Sequence, residues 1–293
     1  MPHITALFQI VTRQTDPRAV AIVRVVVGLA AIGFALESWV NIGRVLSPQV
    51  VDMPYVAWYP RLPVAMLPLF IGVWLCAAIG FALGLGTRVC GASVTLSMAY
   101  ALFFDQQLYS NHLYLAMLVV LLLTIAESGA RFSLDARRLG GHNLILEWPI
   151  LLLKIQISIV YFYAALLKVN PQYLSGAMLS SFWPFNTLTT LPGGWSSAQL
   201  LPLLAVASIL TELFLSFGLW LPRLRWLALL VGIGFHLMII FTGGARPGQP
   251  DIAFAIFALV TVAPYALFFD FPVRRVAAVS EYSDADKRRR TRM

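Results

Sequence analysis

The chain has 293 residues, of which 59% are hydrophobic and only 12% are charged, whereas a typical soluble domain has about 25% charged residues. Together with a mean hydropathy of +0.80, this composition argues against a soluble globule or a disordered chain and predicts a multi-span membrane protein. The net charge of +8 would suggest nucleic acid only if it lay on one soluble face. Cys76 and Cys90 both lie in apolar stretches, so neither a disulfide framework nor a four-thiolate metal site is expected.

Eight apolar segments are candidate membrane spans, since a helix needs about 20 mostly apolar residues to cross the bilayer. They lie at residues 19–40, 64–86, 89–104, 111–126, 148–168, 198–221, 226–242 and 252–269. Backbone groups in lipid must be hydrogen-bonded within their segment, which favours helices, and the runs lack the alternation of a barrel. The sequence therefore predicts an all-α, polytopic helical bundle of about eight transmembrane helices.

The basic residues predict the orientation of this bundle. With a cytoplasmic N-terminus, fifteen of the twenty-one Lys and Arg residues fall inside, three fall outside and three lie within spans. Because cytoplasmic loops are enriched in basic residues, we expect both termini in the cytoplasm. Basic residues concentrated at the inner membrane surface also explain the net charge without a nucleic-acid partner.

The remaining segments suggest how the chain is organised around the membrane. Residues 1–272 form the predicted membrane domain, and residues 4–11 within it are expected to form an interfacial helix. Residues 273–293 form a basic cytoplasmic tail that would bind anionic lipid. The outer loop at residues 170–197 has no formal charge and is rich in Pro, Gly, Trp and Phe. Long loops of this kind often act as lids or binding elements.

Arg24 and Glu212 are predicted to lie in the inner half of the bundle. A charge at the centre of a bilayer costs at least about 2.5–3.5 kcal/mol, so each needs a partner. The simplest expectation is a structural ion pair between Arg24 of the first span and Glu212 of the sixth.

A second set of polar residues is predicted in the outer half. His112 follows Asn111 at the start of the fourth span, Lys168 ends the fifth span, and His236 lies in the seventh. Singly, Lys168 could extend its amine to the headgroups, and each histidine could be a satisfied core residue. Together they are typical of a small-molecule site at the bilayer edge. No metal site is predicted, because the histidines are far apart and no paired-ligand motif is present.

Several separated motifs resemble a known family. The sequence is similar to the membrane domain of vitamin K-dependent gamma-carboxylase and its bacterial relatives, the horizontally transferred transmembrane domain (HTTM) proteins. The matching motifs are Thr15-Asp16-Pro17, Arg24, Gly28, residues 83–88, 111–115, 132–135, 156–168 and 173–176, and Phe235-His236. They extend in order over nearly the whole chain.

The resemblance implies a role for each residue of the outer set. Lys168 would be the base that deprotonates a reduced vitamin K or menaquinol-like hydroquinone. Asn111 and His112 would bind or orient the quinone or stabilise its oxyanion, and His236 would line the same cavity. In that family the oxyanion reacts with O2, and collapse to the epoxide generates a base that removes a glutamate γ-proton before CO2 adds. A dry site near hydrocarbon suits this chemistry.

Three functions stay open at this point. The first is a quinol-dependent carboxylase or epoxidase-like enzyme at the outer face of a bacterial inner membrane, with a secreted peptide or protein glutamate as acceptor. The second is a non-catalytic, quinone- or pigment-binding subunit of an electron-transfer or photosynthetic complex. The third is an accessory for the maturation of a secreted peptide. The family carboxylase holds its protein substrate with a large lumenal portion, which does not follow the eighth span here, so the acceptor is the open part.

Overall fold

The structure is a computed structural model that describes residues 12–182, 185, 196–243 and 251–269. It is mostly helical, which confirms the predicted all-α class. The predicted interfacial helix at residues 4–11, much of the outer loop and the tail at residues 273–293 lie outside the described residues.

The helices follow one another with short connections. They are α1 (Arg18–Val45), α2 (Leu67–Leu83), α3 (Thr87–Phe104), α4 (Asn111–Ile125), α5 (Leu134–Leu139), α6 (Trp148–Leu167), α7 (Pro171–Leu174), α8 (Ser197–Gly218), α9 (Arg225–Thr242) and α10 (Ile252–Val262). A 3-10 turn, Ala263–Phe268, continues α10. A two-residue antiparallel ribbon joins β1 (Gln14–Thr15) to β2 (Ile145–Leu146).

Six helices of the described chain are long and apolar enough to cross a membrane, namely α1, α2 with its preceding 3-10 turn, α3, α6, α8 and α9. Two more predicted spans are shorter apolar helices, Asn111–Ile125 and Ile252–Phe268. At 1.5 Å per residue, the 15 residues of α4 extend only about 22 Å, less than the ~30 Å hydrocarbon core. The protein is therefore an integral membrane bundle, and a total of eight crossings stays a prediction.

The helices alternate in direction, so the loops gather at two ends of the bundle. At one end, β1 pairs with β2 and Thr87 contacts Asp135. We call this the Arg24 end. The opposite end contains the C-terminus of α6 and is called the Lys168 end. Which end faces the cytoplasm stays a prediction.

Helix α1 is central and packs against α2, α4 and α10. Its Gly28 allows the close approach to α2, because a Cβ at this position would lie 2.7 Å from the Cα of Ala82. Small residues let helices in a bilayer pack backbone to backbone. This contact brings Arg24, one turn before Gly28, against the loops at its end of the bundle.

Arg24 is fully buried and is hydrogen-bonded to backbone carbonyls rather than to a carboxylate. Its guanidinium donates to the carbonyl oxygens of Phe132 (2.6 Å), Ser128 (3.0 Å) and Ala82 (3.4 Å). Glu212 instead contacts Lys168 at the other end of the bundle. The predicted Arg24–Glu212 ion pair is therefore wrong: both terminal nitrogens of the guanidinium donate to carbonyls, while its buried Nε has no partner among the described residues.

The backbone around Arg24 adopts unusual conformations where it meets the guanidinium. Phe132 adopts a φ of 48°, a left-handed conformation that side-chain-bearing residues rarely take. Gly84 has a φ of 70°, and a Cβ there would lie 2.6 Å from the Arg24 Nη1 atom. Only glycine leaves room for the guanidinium at this turn, so residues 83–88 and 132–135 serve the packing of Arg24.

Asp135, in the first turn of α5, completes this arrangement by capping α3. Its carboxylate accepts from the Thr87 N–H, the Thr87 hydroxyl and the Gly86 N–H, each at 2.8 Å. Burial by itself raises the pKa of Asp135, but these hydrogen bonds and the nearby Arg24 guanidinium outweigh it, so its pKa lies below the ordinary value.

We predict that the effects of Arg24→Leu and Glu212→Leu on stability add. Arg24→Leu removes the donor from the buried contacts with the carbonyls of Ser128 and Ala82, at about 1–3 kcal/mol each. Glu212→Leu separately leaves Lys168 without its partner. Because the two sites share no contact, the double variant should lose the sum. Unfolding in detergent micelles measures this. A double variant that loses less stability than the sum of the two single losses would instead support the Arg24–Glu212 pair.

We also predict that Asp135 stabilises the protein only above acidic pH. A carboxylate whose folded pKa is lowered contributes its full stability above its unfolded pKa of ~3.9 and loses it as the pH falls through the folded value. Asp135→Asn should therefore lower the melting temperature at pH ~7, and the gap to wild type should close in acid. The control is Asp52→Asn, since Asp52 has a side chain 59% exposed and pairs with Arg61 at the surface. A gap that does not change with pH would contradict the capping role.

Candidate functional site

The C-terminal half of α6 presents two polar side chains at the Lys168 end. Tyr161 is buried within the helix, and Lys168 directly follows its last residue. Seven residues are close to two helical turns, so both lie on the same face of α6. This face packs against α8.

Lys168 forms an ion pair with Glu212 of α8. The distance between Nζ and Oε1 is 2.6 Å, and the side chains are 25% and 6% exposed, respectively. The Lys168 Nζ also lies 5.5 Å from the ring centre of Tyr173 and 5.8 Å from that of Phe235. The amine is thus held between a buried carboxylate and two aromatic rings, with one side reachable from outside.

The level of Glu212 differs from the sequence-based expectation of the inner half. Helix α8 extends past the end of α6 and packs there on α7, where the Tyr173 and Ser208 hydroxyls are 2.7 Å apart. Asn170 caps α7 by accepting from the Tyr173 N–H at 2.9 Å. Because the first turns of α8 lie alongside this added element, Glu212 is level with Lys168.

Only one oxygen of Glu212 is used. Oε1 accepts from Lys168, whereas Oε2 is buried and has no hydrogen-bond partner among the described residues. Leaving a buried charged acceptor unsatisfied is costly. Such an atom is a candidate contact for a bound ligand.

His236 belongs to a buried polar network below this pair. Its Nε2 lies 2.7 Å from the Tyr161 hydroxyl and 3.2 Å from the Thr261 hydroxyl. The Tyr161 hydroxyl is also hydrogen-bonded to that of Tyr265. The network fixes the ring of His236 and uses only Nε2. Nδ1 has no hydrogen bond to a described residue and is left for another partner.

His112 reaches the same region from α4. Its ring stacks on Phe257 with centres 4.0 Å apart and an interplanar angle of 22°. The ring of His236 lies 5.9 Å from that of Phe257. The two predicted histidines therefore share one aromatic neighbour. Asn111 is exposed at the first turn of α4.

The structure thus brings together Lys168, His236 and His112, linked through the rings of Phe235 and Phe257. Sequence reasoning assigned Glu212 to a different partner and missed Tyr161, Thr261 and Tyr265. The two-turn spacing of Tyr161 and Lys168 was the available signal for one of them. Among the described residues, no group of three or more His, Cys, Asp or Glu side chains is placed to hold a metal ion.

Three cavities lie away from this cluster. One of about 910 Å³ follows the outside of α3 from Arg88 to Phe103, and one of about 570 Å³ lies between α2 and α3. A third, of about 470 Å³, lies at the Arg24 end beside Asp135. None of the three is lined by Lys168, Glu212 or either histidine of the cluster.

Apolar helices that enclose a polar cluster at one end define an integral membrane helical domain. A family model described as HTTM domain matches residues 12–270, so the chain belongs to the HTTM-domain family. This confirms the family resemblance, and it relates the chain to the membrane domain of vitamin K-dependent gamma-carboxylase. No solved structure gives a significant match.

Proposed function

We propose that the protein is a quinol-dependent, carboxylase- or epoxidase-like enzyme of the bacterial inner membrane, with its site at the outer leaflet. The observation that carries this proposal is the amine of Lys168, held by a buried carboxylate beside aromatic rings at the edge of the bundle. Because a charge in a membrane is costly, a partly buried lysine at the bundle edge is a candidate functional residue.

The residues present suit a hydroquinone, which has a flat ring and two hydroxyl groups. The Oε2 atom of Glu212, which has no partner among the described residues, can accept from a hydroxyl. His236 meets Tyr161 through Nε2, so it would contact the ligand through Nδ1. The rings of Tyr173, Phe235 and Phe257 offer apolar faces to a flat ring. A lipid-soluble ligand could enter sideways from the bilayer, on the side where the Lys168 side chain is partly exposed.

When bound, a hydroquinone would supply, together with O2, the oxidation that drives carboxylation by CO2. The residues of this chain would then hold the ligand and move one proton. Lys168 would take that proton at Nζ, and its charge would stabilise the negative charge left behind. His112 and Asn111 at the start of α4 would orient the ligand, and His236 would do so through Nδ1. The packed rings would keep water away.

The acceptor of the carboxyl group is proposed to be a glutamate of a secreted peptide or protein, reached from the outer face. On this view residues 1–272 are the catalytic membrane domain, and the tail at residues 273–293 holds the chain on the inner surface. A quinone- or pigment-binding subunit of a larger membrane complex, or a maturation accessory, is the alternative that the assay below separates.

We predict that Lys168→Arg folds and retains bound quinone but loses epoxide formation. Arginine keeps the positive charge and can still pair with Glu212, but it cannot give up a proton at working pH. General acid–base catalysis contributes about 10²–10⁴-fold, so the loss should be of that order. Epoxide formed from reduced naphthoquinone and O2, at matched protein levels, is the measurement.

Two further variants are controls for this prediction. Lys168→Ala should regain part of its activity when small amines are added, because they can occupy the vacated space. His112→Ala should weaken quinone binding and show no rescue by amines. Normal turnover in Lys168→Arg would remove Lys168 as the base, since arginine extends to headgroups as well as lysine does. Bound quinone without turnover in the wild type would favour a binding subunit.

A further inference from the structure

The geometry of the Lys168–Glu212 pair raises a chemical requirement. An ammonium hydrogen-bonded to a carboxylate at 2.6 Å has no lone pair with which to accept a proton. A lysine that acts as a base must first give one proton away. The nearest acceptor is the Glu212 Oε1 atom, which already receives its hydrogen bond.

We propose that Lys168 and Glu212 act as one base, in which Lys168 meets the ligand and Glu212 stores the proton. This inference rests on the proposed function and adds Glu212 as a positioning and proton-holding residue. Glu212 is suited to that role because its side chain is 6% exposed and its second oxygen has no partner among the described residues.

The transfer takes place in two steps. First, an Nζ–H bond of Lys168 breaks and an Oε1–H bond forms on Glu212, which gives a neutral amine and a neutral carboxylic acid. Then a ligand O–H bond breaks, and its proton forms a new N–H bond on Nζ. The pair ends as ammonium and carboxylic acid, and the ligand oxygen carries the negative charge. Glu212 later releases its proton to solvent along the exposed side of Lys168.

Burial favours this route over a lysine acting alone. An uncompensated charge in a dry site is strongly unfavourable. The pair is neutral before the transfer, and afterwards the ammonium faces the negative ligand oxygen, so each charge has a partner throughout.

Other titratable groups face the pair from each neighbouring element. Tyr173 comes from α7, Tyr161 from α6 and His236 from α9. Their protonation would influence wild type and Glu212 variants alike. A signal that depends on residue 212 therefore isolates the carboxylate.

Infrared difference spectroscopy of the full chain in detergent tests the inference without turnover. Under anaerobic conditions, addition of reduced menadione should produce the carbonyl stretch of a protonated carboxylic acid in wild type. The band should be missing in Glu212→Gln. It should persist in Glu37→Gln, which changes a half-buried glutamate of α1. Glu212→Asp supplies a second acid if the amide variant does not fold, and its band should be shifted.

The possible results distinguish a failure of the shared Lys168–Glu212 base from a failure of the proposed quinol-dependent activity. Binding without the band, or a band that survives in Glu212→Gln, would overturn the shared base and leave Lys168 as a base in its own right. Absence of binding would overturn the proposed function as well. In air, Glu212→Gln should lose epoxide formation by about a hundredfold or more. A purely structural Glu212 would instead leave the spectrum of the bound state unchanged.

Discussion

The cost of burying positive charge in an apolar bundle governs both ends of this protein. Arg24 and Lys168 are two cations within or at the edge of the helices, and each is satisfied differently. Arg24 donates to backbone carbonyls in a fixed network, whereas Lys168 meets one carboxylate oxygen. The first solution uses a cation that cannot deprotonate. The second uses a cation that can exchange protons, and the proposed chemistry depends on this difference.

The family motifs divide along the same line. Gly28, residues 83–88 and residues 132–135 build the packing and loop geometry around Arg24. The motifs that contain His112, Lys168 and His236 meet at the opposite end around two aromatic rings. A rigid, carbonyl-bonded end can hold the helices in register. The motifs of the HTTM-domain family therefore contribute both to the packing around Arg24 and to the proposed site around Lys168.

The sequence predicted the helices and the convergence of Lys168, His112 and His236, because apolar run length and charge placement report directly on the bilayer. It could not predict the partners of Arg24, since every residue has a backbone carbonyl and residue type does not show which one accepts a hydrogen bond. The depth predicted for Glu212 from its position along α8 was also wrong. That depth was counted from the start of α8 and did not include α7. Because α8 packs on α7 through Tyr173 and Ser208, Glu212 lies at the level of Lys168. Tyr265 was missed because a tyrosine within an apolar run looks like core.

We propose that the cluster around Lys168 and Glu212 carries out quinol chemistry. The most direct measurement incubates the purified wild-type chain with reduced naphthoquinone, O2 and labelled CO2, and analyses epoxide and carboxylated product separately. The account predicts epoxide formation by the isolated chain, with labelled product once a glutamate peptide is supplied. A chain that copurifies in a fixed complex, keeps its quinone bound and forms no epoxide would contradict it.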